Sequence, residues 1–477
     1  MVKRSSKTLV MKFGGTSVGS SAAMAQATRI VKDARLEWAR VVVVTSAISG
    51  ATNVLLDCAT RAAQGDLQPL LNTEHELLAR HEKISADLVS NSVLRASLNH
   101  ELRGLVGTFG DLCRAIAVLG EATPRALDAV ASHGERMSAR LLAAACESQG
   151  LPAQFVESTG LIITNSSFQS AHPDFAATAQ ATHARLLPML QEGIVPVVTG
   201  FIGATPEGVI TTLGRGGSDY SAAILGAVLP ADDVWIWTDV DGVMTADPRL
   251  VPDARTLPEI SYAEIAELAY FGAKVLHPKA VRPVVEAGIG LRICNTFNPS
   301  HPGTRLVANH GNGHAPNGEK VIKAVTTIRN QRLVTIEGRG MLGVPGVAAR
   351  TFAAVASTGT SVPLITQASS EQSICFAIPG ESTGVVLAAL SKVFATELAD
   401  RDIDRIWATE DVSIITVVGT GTRNTPGVAG QIFSKLGDIN VNMLAIAHGS
   451  SDVSISMAVD SIQDRPSVQA LHELIVS

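Results

Sequence analysis

Near the N-terminus, apolar positions fall in short blocks separated by glycine- and serine-rich turns. Residues 8–13 read as a short strand that ends on Gly14-Gly15, and residues 21–38 carry a helical pattern. Residues 40–46 (RVVVVTS) form a β-branched run, the pattern of a strand buried on both faces. Residues 48–53 read as a small-residue turn before another helix. Strand, glycine-rich turn, helix and strand in this order predict a parallel sheet covered on both faces. Residues 73–150 are almost entirely helical in pattern, and β-like runs at 193–200, 208–213 and 233–238 are expected to return to the sheet.

Residues 308–320 (ANHGNGHAPNGEK) combine Gly, Asn, His and Pro and are expected to link two domains, 1–307 and 321–477. Beyond this linker the chain repeats itself. Val344-Pro345-Gly346-Val347-Ala348 is echoed by Thr425-Pro426-Gly427-Val428-Ala429, an offset of 81 residues. Phe352 and Phe433 keep that offset, as do Gln367-Ala368-Ser369-Ser370 and His448-Gly449-Ser450-Ser451. Each copy reads strand, Pro-Gly turn, helix, strand, strand, at 330–405 and 411–477. Two copies predict a quasi-symmetric pair, because a solenoid needs more repeats.

The length of 477 residues implies two or three domains. With 46% hydrophobic and 17% charged residues the chain is globular. A net charge of −6 argues against nucleic acid or an anionic membrane as the main partner. An anionic substrate would then need cations gathered locally. The five cysteines form no CxxC pair, which argues against zinc and dithiol chemistry. Free thiols suit a reducing cytoplasm. The basic N-terminus leads straight into a strand, unlike a signal peptide. The apolar stretch from Val41 soon meets Ser46, Ser49, Gly50 and Asn53, too polar and too short for a membrane span. A soluble cytoplasmic protein is expected.

Five local constellations carry chemistry. The first is Lys12-Phe13-Gly14-Gly15-Thr16-Ser17-Val18. A lysine at a strand end, two glycines and a helix can hold an anion, because glycine lets backbone N–H groups approach and a helix N-terminus adds positive charge. A tight turn beside a surface lysine has the same pattern. The spacing is neither that of GxxxxGK[ST] nor that of GxGxxG. The second is Thr212-Leu213-Gly214-Arg215-Gly216-Gly217-Ser218-Asp219-Tyr220. Arginine's planar fork can grip a carboxylate bidentately, and the glycines keep bulk away from a ligand. Alternatively the loop is flexible, its arginine is solvated, and Ser218-Asp219 caps the apolar helix that follows. The third, Ser132-His133-Gly134-Glu135-Arg136, is placed at the head of a helical run over 137–146. Glu135 there can bind an ammonium group or simply favour the helix dipole. The fourth is Trp237-Thr238-Asp239-Val240-Asp241-Gly242-Val243 with Asp247-Pro248-Arg249, where Asp-Gly signals a turn. The fifth is Phe271-Gly272-Ala273-Lys274-Val275-Leu276-His277-Pro278, with His277 expected to be structural.

In chain order, KFGGTSV, TSAISGATN, SHGER, TTLGRGGSDYSA, WTDVDGV with TADPR, and FGAKVLHP closely resemble the aspartate kinases of the amino-acid kinase family, over essentially the whole chain. The C-terminal pair of repeats resembles ACT domains, small-ligand regulatory modules. Acetylglutamate, glutamate and uridylate kinases share the fold but not this set of motifs. The resemblance implies an α/β protein: an amino-acid kinase fold with a mostly parallel central sheet between helices, then two ACT-like ferredoxin-type α+β units. It implies ATP-dependent phosphorylation of the L-aspartate side-chain carboxylate to 4-phospho-L-aspartate, which opens the biosynthesis of lysine, threonine and methionine.

By the same resemblance, Lys12, Asp219 and Lys274 are catalytic, the lysines on the ATP phosphates and Asp219 organising them. Phe13, Gly14, Gly15, Thr238, Asp239, Met244, Arg249 and Val275 match nucleotide-binding positions, Gly14 and Gly15 as backbone donors. Arg215 should clamp the α-carboxylate of aspartate and Glu135 its ammonium, with Thr52, Gly216, Gly217 and Ser218 at further substrate positions. ATP is expected with Mg²⁺ riding on its phosphates, with no protein residue as a metal ligand. The chemistry fits independently. A carboxylate of pKa about 4 is already ionised at neutral pH and needs no general base. The difficulty is bringing an anion to a polyanion, which positioning and charge neutralisation solve. One departure is Met244, where many family members carry tyrosine, so an apolar contact replaces a polar or stacking one.

Gln367-Ala368-Ser369-Ser370-Glu371 with Ser373-Ile374-Cys375-Phe376 resembles the threonine-responsive bifunctional aspartate kinase–homoserine dehydrogenases more than the lysine-sensitive enzymes. The equivalent of His448 there is commonly glutamine. Gln367 and His448 are the expected regulatory residues, threonine the favoured effector, and a homodimer or higher homo-oligomer through the ACT units the expected assembly. No dinucleotide-binding pattern, a GxGxxG after a strand, is read at the C-terminal end near Ser477, so a stand-alone kinase is expected. Two other readings compete. One is a kinase of this fold for another small acid, since Arg215 and Glu135 do not measure side-chain length. The other is a non-catalytic amino-acid sensor, against which the presence of Lys12, Lys274 and Asp219 stands.

Overall fold

The computed structural model describes residues 5–273, 276–308, 321–367, 372–448 and 452–476. The chain divides into two compact units, the first formed by residues up to 243 with 258–262 and 276–308. Up to residue 308 the strands are β1 (Ser5–Phe13), β2 (Trp38–Thr45), β3 (Ala153–Val156), β4 (Val195–Thr199), β5 (Ile202–Ala204), β6 (Ile210–Thr212), β7 (Asp233–Thr238), β8 (Glu259–Ser261), β9 (Gly290–Asn295) and β10 (Thr304–Val307). The helices are α1 (Ser21–Glu37), α2 (Ala51–Ala63), α3 (Leu70–Leu88), α4 (Ser92–Leu119), α5 (Pro124–Ser148), α6 (Phe175–Gln191), α7 (Gly217–Val228), α8 (Tyr262–Tyr270) and α9 (Pro278–Glu286).

Eight strands form one sheet in the order β3-β4-β2-β1-β7-β9-β10-β8, parallel except where β10 meets β9. The β-branched run predicted at 40–46 is the inner strand β2, and Val41 to Val44 are at most 1% exposed. Burying each such valine contributes roughly 1.5–3 kcal/mol, which fixes β1 and β2 at the centre. Phe13 stacks on Trp237 of the neighbouring β7, ring centroids 6.1 Å apart.

Local details differ from the sequence expectations. Gly14-Gly15 leads into one 3₁₀ turn, Thr16–Val18, and α1 starts only at Ser21, where the Ser20 hydroxyl accepts the Ala23 N–H. The expected turn at 48–53 is already helical from Ala51. The run at 208–213 does not rejoin the main sheet. Its strand β6 pairs with β5 in a separate two-stranded ribbon, because Thr211 and Thr212 are bonded by side chains: Thr211 to Thr164, Thr212 to Asp128. The segment Ser132 to Arg136 is the middle of α5, which starts at Pro124 with Thr123 as its cap.

The second unit comprises residues 244–257, 263–275 and those from 309 onward. Its elements are β11 (Ala324–Glu337), α10 (Val347–Ser357), β12 (Leu364–Gln367), β13 (Ser373–Pro379), α11 (Thr383–Val393), α12 (Ala395–Asp400), β14 (Arg405–Ala408), β15 (Val412–Val418), α13 (Val428–Asp438), β16 (Met443–Ala447), β17 (Ser454–Asp460) and α14 (Asp464–Val476). Among the described residues all its sheet pairings are antiparallel. β11 is divided at Asn330, where φ is 56°. Residues 331–337 join β13 and β14, while 324–328 pair with β15. The seven strands form one sheet, β12-β13-β11-β15-β17-β16 with β14 paired to β11, in which each repeat has four strands: β14, 331–337, β13 and β12 for the first, and 324–328, β15, β17 and β16 for the second. The second repeat takes its fourth strand from a segment that precedes the first. Among the described residues no helix is long and apolar enough to cross a membrane.

Candidate active site

Above the C-terminal ends of β1 and β2 the first unit opens a cleft of 530 Å³. Open α/β sheets place ligand sites in such crevices. The walls come from Lys12 near the end of β1 and Gly15 after it, the 46–50 loop after β2, one face of α5, and the 214–219 segment that opens α7.

Lys12 is 8% exposed, and its Nζ lies 2.7 Å from Asp219 Oδ1. Asp219 stands in the first turn of α7. The pairing joins two distant segments, and removing one partner of such a pair costs about 3–5 kcal/mol. The expectation that Ser218-Asp219 caps α7 is corrected. The cap is Gly216 at φ 69°, with no side-chain bond, which leaves Ser218 and Asp219 on the cleft wall. α2 begins the same way, from Gly50 at φ 83° without a side-chain cap. Thr52 and Asn53 in its first turn also line the cleft. Two uncapped helix N-termini present N–H donors and partial positive charge to one space.

Glu135 is 4% exposed and lies mid-helix, so the helix dipole does not account for it. One reason α5 comes this close to the 46–50 loop is Gly134, where an added Cβ would lie 2.7 Å from Ala47 Cβ. Burial pushes the Glu135 carboxyl up to about 8, against the Ala47 N–H bond and the Lys12 charge, which favour ionisation. Its Oε2 is buried and has no hydrogen-bond partner among the described residues. A buried carboxyl oxygen left open toward a cleft invites a cationic donor.

Arg215 is exposed and makes no ion pair among the described residues. Gly214 and Gly216, at φ 79° and 69°, shape its loop. Gly217 is required for another reason, since a Cβ there would lie 2.5 Å from the Phe201 ring. The α9 N-terminus backs the loop. His277 caps α9 by accepting the Lys279 N–H, and its Cβ would lie 3.0 Å from a Cβ at Gly216. Burial, with the charges of Arg215 and Lys279, lowers the His277 pKa.

The other expected nucleotide residues are placed differently. Phe13 is fully buried and offers no side chain to a ligand. The Gly14 N–H is donated to Trp237 O at 3.0 Å, so it is not the phosphate donor expected. Gly15 does line the cleft, pressed so close to Ala47 O that a Cβ would lie 2.9 Å away. Thr238 and Asp239 stand at the end of β7, bonded to each other at 3.2 Å and outside the cleft lining. Met244 and Arg249 belong to the second unit. There the Thr256 hydroxyl donates to Met244 Sδ, and Arg249 forks onto Asp247. Lys274 and Val275 lie outside the described residues. No cluster of three or more His, Cys, Asp or Glu able to hold a metal occurs among the described residues.

Sequence reasoning passed over Asp128, Gln169 and Phe201, which also line the cleft. Gln169 and Phe201 are non-glycine residues at φ 66° and 67°, conformations that persist where the surroundings enforce them. Asp128 could have been found from its spacing of seven residues before Glu135, one face of a single helix.

In the second unit a cavity of 450 Å³ is lined by Met341, residues 343–348, Gln367 and Ile374. It surrounds the α10 N-terminus, capped by Gly346 at φ 90° without a side-chain bond. The second repeat reproduces this cap with Gly427 at φ 88°. His448 follows β16 and does not line this cavity.

A model of the amino acid kinase family matches residues 7–295, and an ACT domain model matches 334–394 and 415–474. The chain is 36% identical over 464 residues to the chloroplastic bifunctional aspartokinase/homoserine dehydrogenase 2 of Arabidopsis thaliana, covering 97% of this chain and 50% of that protein. It spans about half the length of the bifunctional plant relatives it matches. It is 35% identical over 475 residues to the lysine-sensitive aspartokinase 3 of Escherichia coli, covering 98% of this chain and 99% of that one. The crystal structure of E. coli aspartokinase III with aspartate and ADP superposes with a TM-score of 0.80 at 32% identity, over 99% of this chain and 100% of that one. The chain belongs to the amino acid kinase family and, within it, to the aspartokinases.

Proposed function

We propose that this protein is an aspartate kinase that transfers the γ-phosphoryl group of ATP to the side-chain carboxylate of L-aspartate. The observation that carries the reading is that one cleft holds a buried Glu135 oxygen and an Arg215 side chain, neither of them paired among the described residues. These are the complements of an ammonium and a carboxylate. Glu135 holds the ammonium and Arg215 the α-carboxylate, with Thr52, Ser218 and the backbone of Gly216 and Gly217 completing the amino-acid site. Lys12, oriented by Asp219, neutralises charge on the transferring phosphoryl group. Lys274 assists it, with Gly15, Thr238, Asp239, Met244, Arg249 and Val275 on the nucleotide. Mg²⁺ belongs to the substrate nucleotide, held by its phosphates and water. The nucleophile is already ionised, so no residue acts as a base.

In this reading residues 1–307 are catalytic, 308–320 a linker and 321–477 regulatory. The cavity at the α10 N-terminus binds an effector amino acid, its carboxylate on the N–H groups of residues 347 and 348. Among the described residues no acidic side chain lines that cavity, which favours threonine over lysine. Gln367 meets the effector there, and His448 takes the equivalent place in the second repeat. The ACT units pair across a homo-oligomer, and the enzyme works in the cytoplasm at the head of lysine, threonine and methionine biosynthesis. ADP release measured with aspartate, glutamate and N-acetylglutamate tests the activity. Turnover with aspartate alone is expected, and equal turnover with either longer acid would overturn the substrate assignment.

A further inference from the structure

Asp128 lines the cleft, and none of the roles above uses it. It is 1% exposed, on α5. Its carboxylate accepts the Gln169 N–H at 3.1 and 3.0 Å, the Thr212 N–H at 2.9 Å and the Thr212 hydroxyl at 2.7 Å. A buried carboxylate so bonded is a fixed point, because charge-assisted bonds are strong and water does not compete for them.

Both clamped residues belong to the wall that carries Arg215. Thr212 ends β6, and only Leu213 and Gly214 separate it from Arg215. Gln169 is held at φ 66°, which side-chain-bearing residues seldom adopt. Its carbonyl presses on Gly214, where an added Cβ would lie 2.9 Å from Gln169 O. The Ala171 N–H donates to Thr212 O at 2.9 Å and joins the two segments.

Asp128 and Glu135 are seven positions apart on α5, which places them on one face about 10.5 Å apart along the axis. We propose that Asp128 is a positioning residue that holds the Arg215 loop, through Gln169 and Thr212, at a fixed distance from Glu135. Helix α5 then sets the spacing between the two groups that grip the amino-acid substrate. The inference rests on the Arg215–Glu135 clamp proposed above.

Steady-state kinetics on Asp128→Asn, Arg215→Lys and the double variant test it, with KM for aspartate and for ATP measured separately. Asparagine turns an acceptor into a donor facing two N–H groups. Aspartate KM should rise about 10–100-fold, as small misplacements of a positioning group do. ATP KM should stay within about twofold. The double variant should be little worse than Arg215→Lys alone, because the two residues act as one unit. Gln169→Gly should recover part of the loss in the Asp128→Asn background, since glycine adopts positive φ freely. Should Asp128→Asn fail to fold, Thr212→Val removes one bond and should raise aspartate KM about 3–10-fold. An unchanged aspartate KM in these variants, or fully multiplicative losses in the double variant, overturns the positioning role and leaves the clamp standing. An unchanged aspartate KM in Arg215→Lys overturns both.

Discussion

In the proposed clamp, Glu135 makes substrate binding a proton-linked event. Burial holds its carboxyl at about 8, so near pH 7 about nine molecules in ten carry it protonated. The ammonium of aspartate needs the ionised form. Binding at pH 7 should therefore release about one proton, and the ionisation should weaken affinity about tenfold. The aspartate Kd should fall about tenfold per pH unit below 8 and level off above it. Titration calorimetry in phosphate and in Tris, whose ionisation enthalpies differ, reads the proton directly. In Glu135→Gln the proton release and the pH slope should both vanish. The same group gives a stability signature with a definite sign. A carboxyl raised from 4.5 to about 8 in the fold favours the folded state fully below pH 4.5. That contribution is lost as pH rises to 8, on the order of 5 kcal/mol. Tm should accordingly fall less between pH 5 and 8 in Glu135→Gln than in the parent. Equal heats in the two buffers, with a pH-independent Kd, would refute this account of Glu135.

Lys12→Ala should lower kcat by roughly 10²-fold or more with a smaller effect on aspartate KM, and a near-normal kcat in the folded variant would remove Lys12 from the reaction. Gly134→Ala sets a Cβ 2.7 Å from Ala47 Cβ. Urea unfolding should show a loss of about 1–3 kcal/mol, and aspartate affinity should drop as Ala47 is pushed off Glu135. Threonine should bind the 450 Å³ cavity and inhibit, with a coupling of about 1–3 kcal/mol, roughly 5–150-fold in apparent affinity. Gln367→Ala should weaken that inhibition. No heat of binding and no inhibition at millimolar threonine would discard the regulatory reading and leave the kinase reading intact.

What could be read from the sequence was what short-range pattern encodes. The β-branched run at 41–44 announced an inner strand, and the glycines around Arg215 announced a loop open to a ligand. The 81-residue repeat found both C-terminal units, down to the left-handed glycine that opens each first helix. The rest depends on what lies across the fold. The Gly14 N–H belongs to Trp237, more than two hundred residues away, so its loss as a phosphate donor leaves no local mark. The fourth strand of the second repeat lies at 324–328, before the first repeat begins, and repeat spacing carries no trace of such an exchange. β6 looked like a sheet strand because threonine suits strands, yet its hydroxyls are claimed by Thr164 and Asp128. Asp128 itself was hidden by starting α5 too late. Thr123-Pro124 is a helix-start signal, and from there residues 128, 131 and 135 fall on one face.

The central claim is phosphoryl transfer to one carboxylate of one amino acid, and trapping the product tests it most directly. The protein, ATP, Mg²⁺ and L-aspartate are incubated with hydroxylamine, which converts an acyl phosphate to a stable hydroxamate, and the product is identified by mass spectrometry. The expected result is the side-chain hydroxamate of aspartate, formed in step with ADP and lost in Lys12→Ala. ADP release without hydroxamate, or a hydroxamate at the α-carboxyl, would contradict the account.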